Sequence, residues 1–294
     1  MMAKTVVLIT GCSSGIGLSL AVRLASDPSK AYKVYATMRN LAKKERLLDC
    51  VKGLYQDTLD ILQLDVTDQQ SILDAKDKIE EKRLDILVCN AGVGLMGPLE
   101  VLSCETMQQI LDVNLFGTVR TIQTFLPGMK ARRTGRILVT GSIGGLQGLP
   151  FNEVYCASKF AVEGVCESLA ILLQHFDIHL SLIECGPVNS NFVSNLQCTD
   201  PESSSMQHVD AQTRALYRTY LRHCSTIFQT AAQDSEDIVQ VFMDAIGAPS
   251  PALRYYTNTA LQPLTALKLP FHDGSHYIRN INKFIFPTDH TDEA

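Results

Sequence analysis

The feature that most constrains this chain comes at its start. A short apolar run at 5–10 stops at the glycine-rich turn Gly11-Cys12-Ser13-Ser14-Gly15-Ile16-Gly17, and from 18 to 25 the apolar residues recur at helical spacing until Asp27-Pro28. That change of period spells strand, tight turn and helix. The rhythm returns with strands expected at 33–37, 59–64, 86–89, 136–140 and 178–183 and helices at 72–79, 105–129 and 152–174. The strands are continuous apolar runs, the pattern of a parallel sheet covered on both faces. The expected fold is therefore α/β, a doubly wound Rossmann-type parallel sheet in one domain over 1–294. Residues 4–190 are expected to form its core, and 191–294 a helical lid and C-terminal extension. Polar, serine-rich 189–210 reads as a mobile lid rather than a core element. Helices are expected again at 211–231 and 235–246, and a last strand at 253–257.

A glycine turn between a first strand and a first helix lets backbone approach a pyrophosphate, with the helix N-terminus aimed at it. Gly11, Ser13, Ser14, Gly15, Ile16 and Gly17 are thus candidate dinucleotide contacts. NAD-binding turns are commonly followed by a carboxylate at the end of the second strand, for the ribose hydroxyls. Here that strand ends Thr37-Met38-Arg39-Asn40, with a guanidinium in its place. Arg39 suits a 2′-phosphate, so NADPH/NADP+ is the expected cofactor and NADH a weaker one. The same turn also fits the G-x-S-x-G pattern of hydrolase nucleophiles, but no earlier strand precedes it to supply the oxyanion amide such an elbow needs.

Tyr155 and Lys159 stand four residues apart in an expected helix, on one face, shortly after Ser142. An ammonium about 4 Å from a phenol at an effective dielectric of about 20 supplies about 4 kcal/mol, roughly three pKa units. Such a phenol serves as a general acid or base near pH 7.

Hydrophobic residues make up 46% of the chain and charged ones 19%, enough apolar material for a sizeable core. A net charge near −5, with only a short basic cluster at 130–136, leaves no electrostatic footprint for nucleic acid. The nine cysteines are scattered without C-x-x-C spacing, which points to a reducing compartment and a cytoplasmic protein. No apolar run has the length of a signal peptide or a transmembrane segment. The seven histidines offer no metal-ligand spacing, so no metal site is expected.

Thr10, the glycine turn, Asp65, Asn90-Ala91-Gly92, Asn114, Ser142, Tyr155 and Lys159 together resemble, in order across 4–190, the short-chain dehydrogenase/reductase family. The resemblance implies that Tyr155 gives a proton to a carbonyl oxygen during reduction and that Ser142 hydrogen-bonds the same oxygen. By the same resemblance Lys159 holds the nicotinamide ribose and lowers the tyrosine's pKa, while Asn114 anchors a water between Lys159 and solvent. Asp65 and Asn90 are implied on the adenine side and the cofactor wall, and Val188 at the nicotinamide. Cys89 departs from the second asparagine that many members carry there.

Within the family, 12–14, 94–100, 154–160 and 180–188 resemble the hydroxysteroid dehydrogenase branch, implying NADPH-dependent reduction of the 17-keto group of estrone, with androgens as competitors. Residues 263–268 resemble the retinol dehydrogenase branch, so a retinal/retinol oxidoreductase is the enzyme alternative, and a non-catalytic NADP(H) sensor the second. A small lipophilic ketone or alcohol would lie against Leu149, Asn152, Pro187, Phe192, Tyr220, Phe228 and Leu261. His223 matches the histidine at the phenolic end of an estrogen, and a glutamate partner of that histidine falls on Phe284. Family resemblance also implies a homodimer through the helices at 105–129 and 152–174.

Overall fold

The computed structural model describes residues 3–51, 57–189, 196–259, 262–266 and 275–286. Its strands are β1 (Thr5–Ile9), β2 (Tyr32–Met38), β3 (Leu59–Gln63), β4 (Ile86–Cys89), β5 (Gly94–Met96), β6 (Gly135–Thr140), β7 (Ile178–Glu184), β8 (Val188–Asn189), β9 (Leu196–Cys198), β10 (Gln233–Asp234) and β11 (Arg254–Tyr256). The helices are α1 (Gly15–Ala25), α2 (Glu45–Cys50), α3 (Gln69–Asp77), α4 (Cys104–Leu111), α5 (Gly117–Arg132), α6 (Ile143–Leu146), α7 (Glu153–Leu173), α8 (Ala211–Thr230), α9 (Ser235–Gly247), α10 (Gln262–Ala266) and α11 (Ser275–Ile285).

Seven strands form one parallel sheet in the order β11-β7-β6-β4-β1-β2-β3. Alternate residues of each strand point to opposite faces. Val7 and Ile9 accordingly pack with Leu20, Leu24, Ile238 and Phe242 of α1 and α9. Val6 and Leu8 pack with Ile72, Ile122, Phe125 and Val162 of α3, α5 and α7. Two buried faces explain why the strands read as unbroken apolar runs. The strand order reverses at the β1/β4 boundary, where a doubly wound fold opens a crevice at its strand ends.

Three expectations change. The segment 189–210 is not all lid: β9 pairs with β5, and Met206 and Val209 are buried in a third cluster with Tyr217, Tyr220, Ile281 and Ile285. The C-terminal portion also supplies the core, through the sheet's edge strand β11 and through α9 against α1. The single helix expected at 105–129 is interrupted by a π-turn at Asp112–Phe116. Gly117 permits that turn to sit close to the segment after β3, because a Cβ there would lie 2.7 Å from Val66 Cγ2. The carbonyl of Asn114 in the turn accepts the Thr118 hydroxyl at 2.8 Å.

Candidate active site

Backbone geometry at the glycine turn explains its composition. Gly11 and Gly15 have φ of 75° and 59°, in the left-handed region where a side chain is strained. Ser14, extended at the N-terminus of α1, makes no side-chain capping bond, so no side-chain cap covers the helix's first amides. Gly17 has another task from the one expected: it does not line the cavity, and a Cβ there would lie 2.6 Å from the Gly11 carbonyl and against the Asn90 amide. It is needed for close packing of helix on strand. Asn90 locks this arrangement by donating to the carbonyls of Thr10 (3.0 Å) and Gly11 (3.3 Å) and accepting from the Thr140 hydroxyl (3.2 Å).

A cavity of about 490 Å³ crosses the strand ends from β2 through β1 and β4 to β6. It collects Gly11, Ser13, Ser14, Gly15, Ile16, Arg39, Asp65, Asn90, Ser142, Leu149, Asn152, Tyr155, Lys159, Pro187, Val188, Tyr220, His223 and Phe228. Phe192 and Leu261 lie outside the described residues. The glycine cradle and uncapped helix end fit a dinucleotide pyrophosphate, and exposed Arg39 stands at the far rim with Lys43. Lys43 is a second cation that a single charge in a polar stretch gives no reason to select. Asp65 has one oxygen committed, accepting from the Thr67 amide (3.0 Å) and hydroxyl (2.7 Å).

At the reacting end, Ser142 caps α6 by accepting from the Gly144 amide at 3.1 Å and hydrogen-bonds the Tyr155 phenol. Burial is the main influence on that phenol and pushes its pKa up; the Ser142 bond works in the opposite direction. The Lys159 ammonium donates to the Thr140 carbonyl at 2.9 Å, and burial lowers its pKa.

Asn114 is 1% exposed. Both of its amide hydrogens are donated, to the Val93 carbonyl (2.9 Å) and the Ser158 hydroxyl (3.0 Å), while its oxygen accepts from the Val93 amide (2.9 Å). The side chain is a clamp on the strand-to-loop exit above β4, with one acceptor position left. Gly92 keeps a gap beside it: a Cβ there would be 3.4 Å from Asn114 Oδ1 and 4.0 Å from Lys159 Nζ.

Beyond Tyr155 the walls are largely apolar. Asn152 donates to the Pro150 carbonyl at 2.9 Å and to the Tyr220 hydroxyl at 2.8 Å. His223 stacks edge-on against Phe284, with ring centroids 5.4 Å apart, and burial lowers its pKa, favouring neutral imidazole. Ile281 and Ile285 of α11 close the chamber, a contribution the irregular C-terminal sequence does not disclose.

The profile of the short chain dehydrogenase family matches residues 5–200. The chain belongs to the short-chain dehydrogenase family. This short-chain dehydrogenase, an oxidoreductase, is 52% identical over 287 residues to 17-beta-hydroxysteroid dehydrogenase type 1 of Homo sapiens, covering 97% of this chain and 87% of the relative. It is 45% identical over 285 residues to retinol dehydrogenase 8 of Homo sapiens, covering 97% and 91%. Among solved structures, serine dehydrogenase complexed with NADP+ aligns at a TM-score of 0.70 and 27% identity, over 86% of this chain and 94% of that one. A Burkholderia phymatum short chain dehydrogenase/reductase in complex with NAD shares the fold at a TM-score of 0.75 and 22% identity, over 90% and 92%. A nicotinamide cofactor therefore belongs in this dehydrogenase's cavity.

Proposed function

We propose that this dehydrogenase reduces the 17-keto group of a steroid, estrone to estradiol, with NADPH. The observation that carries the reading is the unbroken cavity from the Ser142–Tyr155–Lys159 group into an apolar chamber ending at neutral His223. The 52% identity to a 17-beta-hydroxysteroid dehydrogenase supports it. When bound, the nicotinamide supplies the hydride. The protein's part is to orient and protonate: Ser142 and the Tyr155 hydroxyl converge on the place where a ketone oxygen develops negative charge, and Tyr155 donates its proton there. Lys159 provides a buried positive charge in the same wall. Apolar walls exclude water and accept a flat, rigid ligand.

The test is NADPH oxidation with estrone, androstenedione and all-trans-retinal offered separately at equal concentration. Estrone turnover well above the other two is expected. Phe284, where a carboxylate would strengthen the grip of His223 on a phenol, narrows the margin over androstenedione, and turnover of retinal alone would transfer the protein to the retinoid reading.

Arg39 and Lys43 form the proposed 2′-phosphate grip. Arg39→Asp, which removes a charge-assisted bond and adds repulsion, lowers the NADPH-over-NADH preference by roughly 10- to 100-fold. The ratio of kcat/KM for the two cofactors measures it, and an unchanged ratio makes Arg39 a surface residue.

The same reading makes the protein a cytoplasmic homodimer. Exposed Phe116, Ile171 and Leu172, on the helical run 104–132 and on α7, offer apolar surface for pairing. Among the described residues no helix is long and apolar enough to cross a membrane.

A further inference from the structure

Tyr155, Lys159, Glu163 and Glu167 recur every four residues and share one face of α7. Below Lys159 this stripe leaves the cavity and meets the sheet. Glu163 there faces Glu184, the last residue of β7, and Arg254 of β11 closes the group. Glu163 is 6% exposed and Glu184 1%. Two glycines leave room for them: a Cβ on Gly141 would lie 2.5 Å from Glu184 Oε2, and one on Gly145 would lie 3.2 Å from Glu163 Cγ.

The hydrogen bonds are distributed unevenly. Arg254 donates from Nε (3.1 Å) and Nη2 (2.9 Å) to the same oxygen of Glu163, Oε2. Its Nε is 3.8 Å from Glu184 Oε1, too far for a hydrogen bond, and its Nη2 also approaches half-exposed Glu167 at 3.5 Å. Lys159 donates to Thr140. Glu163 Oε1 and both oxygens of Glu184 are therefore buried without a donor among the described residues. Three bare acceptors on two adjoining carboxylates are costly, and one retained proton supplies the missing donor.

We propose that Glu163 and Glu184 share a single proton as a buried acid–carboxylate pair, and that the pair is a positioning element for Lys159, its one negative charge keeping the ammonium charged and held at the Thr140 carbonyl. The catalytic role of Lys159 in this statement rests on the reading under Proposed function; the shared proton does not. Consistent with it, burial first and then the charge and hydrogen bond of Glu163 push the Glu184 pKa up to about 9, against the pull of Arg254 and Lys159. Burial lowers the Lys159 pKa; against it stand first Cys185 and then the charges of Glu184 and Glu163. Glu184 also adjoins the peptide that receives the lysine, through Gly141, next in sequence to Thr140.

The first test is infrared spectroscopy of the full chain, which needs neither substrate nor turnover. At neutral pH the wild type shows the carbonyl band of a buried protonated carboxylic acid, sensitive to deuterium exchange and fading as the pH rises through about 9. The band is missing in Glu184→Gln. Its absence from the wild type overturns the shared proton even if no variant folds. Stability gives a second reading. A carboxyl whose pKa is raised on folding stabilises below its unfolded value near 4.3, and that contribution is lost as pH rises towards its folded value. The Tm of the wild type should therefore fall relative to Glu184→Gln across that window, and parallel curves overturn the pair.

Positioning is read from the pH profile. Glu163→Gln combined with Glu184→Gln keeps the shape and removes the charge, so the alkaline limb of turnover moves to lower pH by about one unit, a roughly tenfold loss at alkaline pH relative to neutral. A superimposable profile in the folded, doubly substituted protein, with the infrared band present in the wild type, overturns the positioning role alone. Silence of the wild type with every ketone sinks the proposed function and leaves the infrared result standing.

Discussion

Tyr155→Phe lowers turnover by about 10³-fold or more, within the range a positioned general acid contributes, while NADPH binding and the unfolding midpoint stay close to wild type. The substitution removes one oxygen from a half-buried ring and leaves the cofactor cradle at Gly11–Ile16 untouched. It also removes the hydrogen bond with Ser142, whose hydroxyl keeps its bond from the Gly144 amide, so α6 retains its cap. The sign of the pH dependence comes from the phenol's surroundings. Burial raises its pKa, so the group stays protonated through the neutral range, the form that ketone reduction needs. Alcohol oxidation needs the phenolate and gains as the pH rises. The ratio of reductive to oxidative turnover in the wild type therefore falls with increasing pH, and Phe at 155 abolishes both limbs together. Single-turnover reduction by the variant at more than a tenth of the wild-type rate would remove Tyr155 from the mechanism.

The legible parts of this molecule are those whose physics is local or strongly periodic. β1 and β4 lie buried on both faces, so their apolar runs announce them, and Gly11 and Gly15 announce a turn that needs positive φ. The motif does not separate glycines that face a ligand from one that packs a helix, so it assigns Gly17 to the cofactor, whereas Gly17 stands against Asn90. β5 and β9 are three residues each and exist only because they pair with each other, a tertiary fact with no periodic signature. The same holds for Ile281 and Ile285, whose burial depends on Met206, Tyr217 and Tyr220 from distant stretches. Tyr155 and Lys159 are legible as a spacing, but the direction of the lysine is not: its bond to Thr140 is made across to β6. Glu163 and Glu184 carry no motif at all, since helix and strand meet there only once the sheet is built.

Asn114 is a family residue set in local structure that the sequence hides. Apolar spacing runs unbroken through 105–129, and a π-turn at Asp112–Phe116 changes no residue type, so a regular helix is the natural expectation. The turn directs the Asn114 amide at Val93, where it makes a two-way bond with the backbone that opens the cavity wall, and at Ser158 of α7. Ser158 in turn donates to the Tyr155 carbonyl at 2.7 Å, so the clamp reaches the turn of α7 that carries the Tyr155 phenol. Asn114→Ala leaves the Val93 amide and carbonyl without their partner and takes one bond from Ser158. At about 1–3 kcal/mol for each buried group left unsatisfied, moderated because Val93 is only half-buried, the expected loss is roughly 3 kcal/mol of stability. Urea unfolding reads it as a lower midpoint at unchanged slope. Turnover falls as well, because α7 and the Gly92–Val93 segment lose their common anchor, and it falls by a similar factor across the pH range. A side chain acting chiefly as a proton relay gives the opposite pattern: unchanged stability, with a loss of turnover that depends on pH and on solvent deuterium. The Asn114 carbonyl, which accepts from Thr118, survives in the alanine variant, so any relay through the backbone is preserved and the experiment isolates the amide.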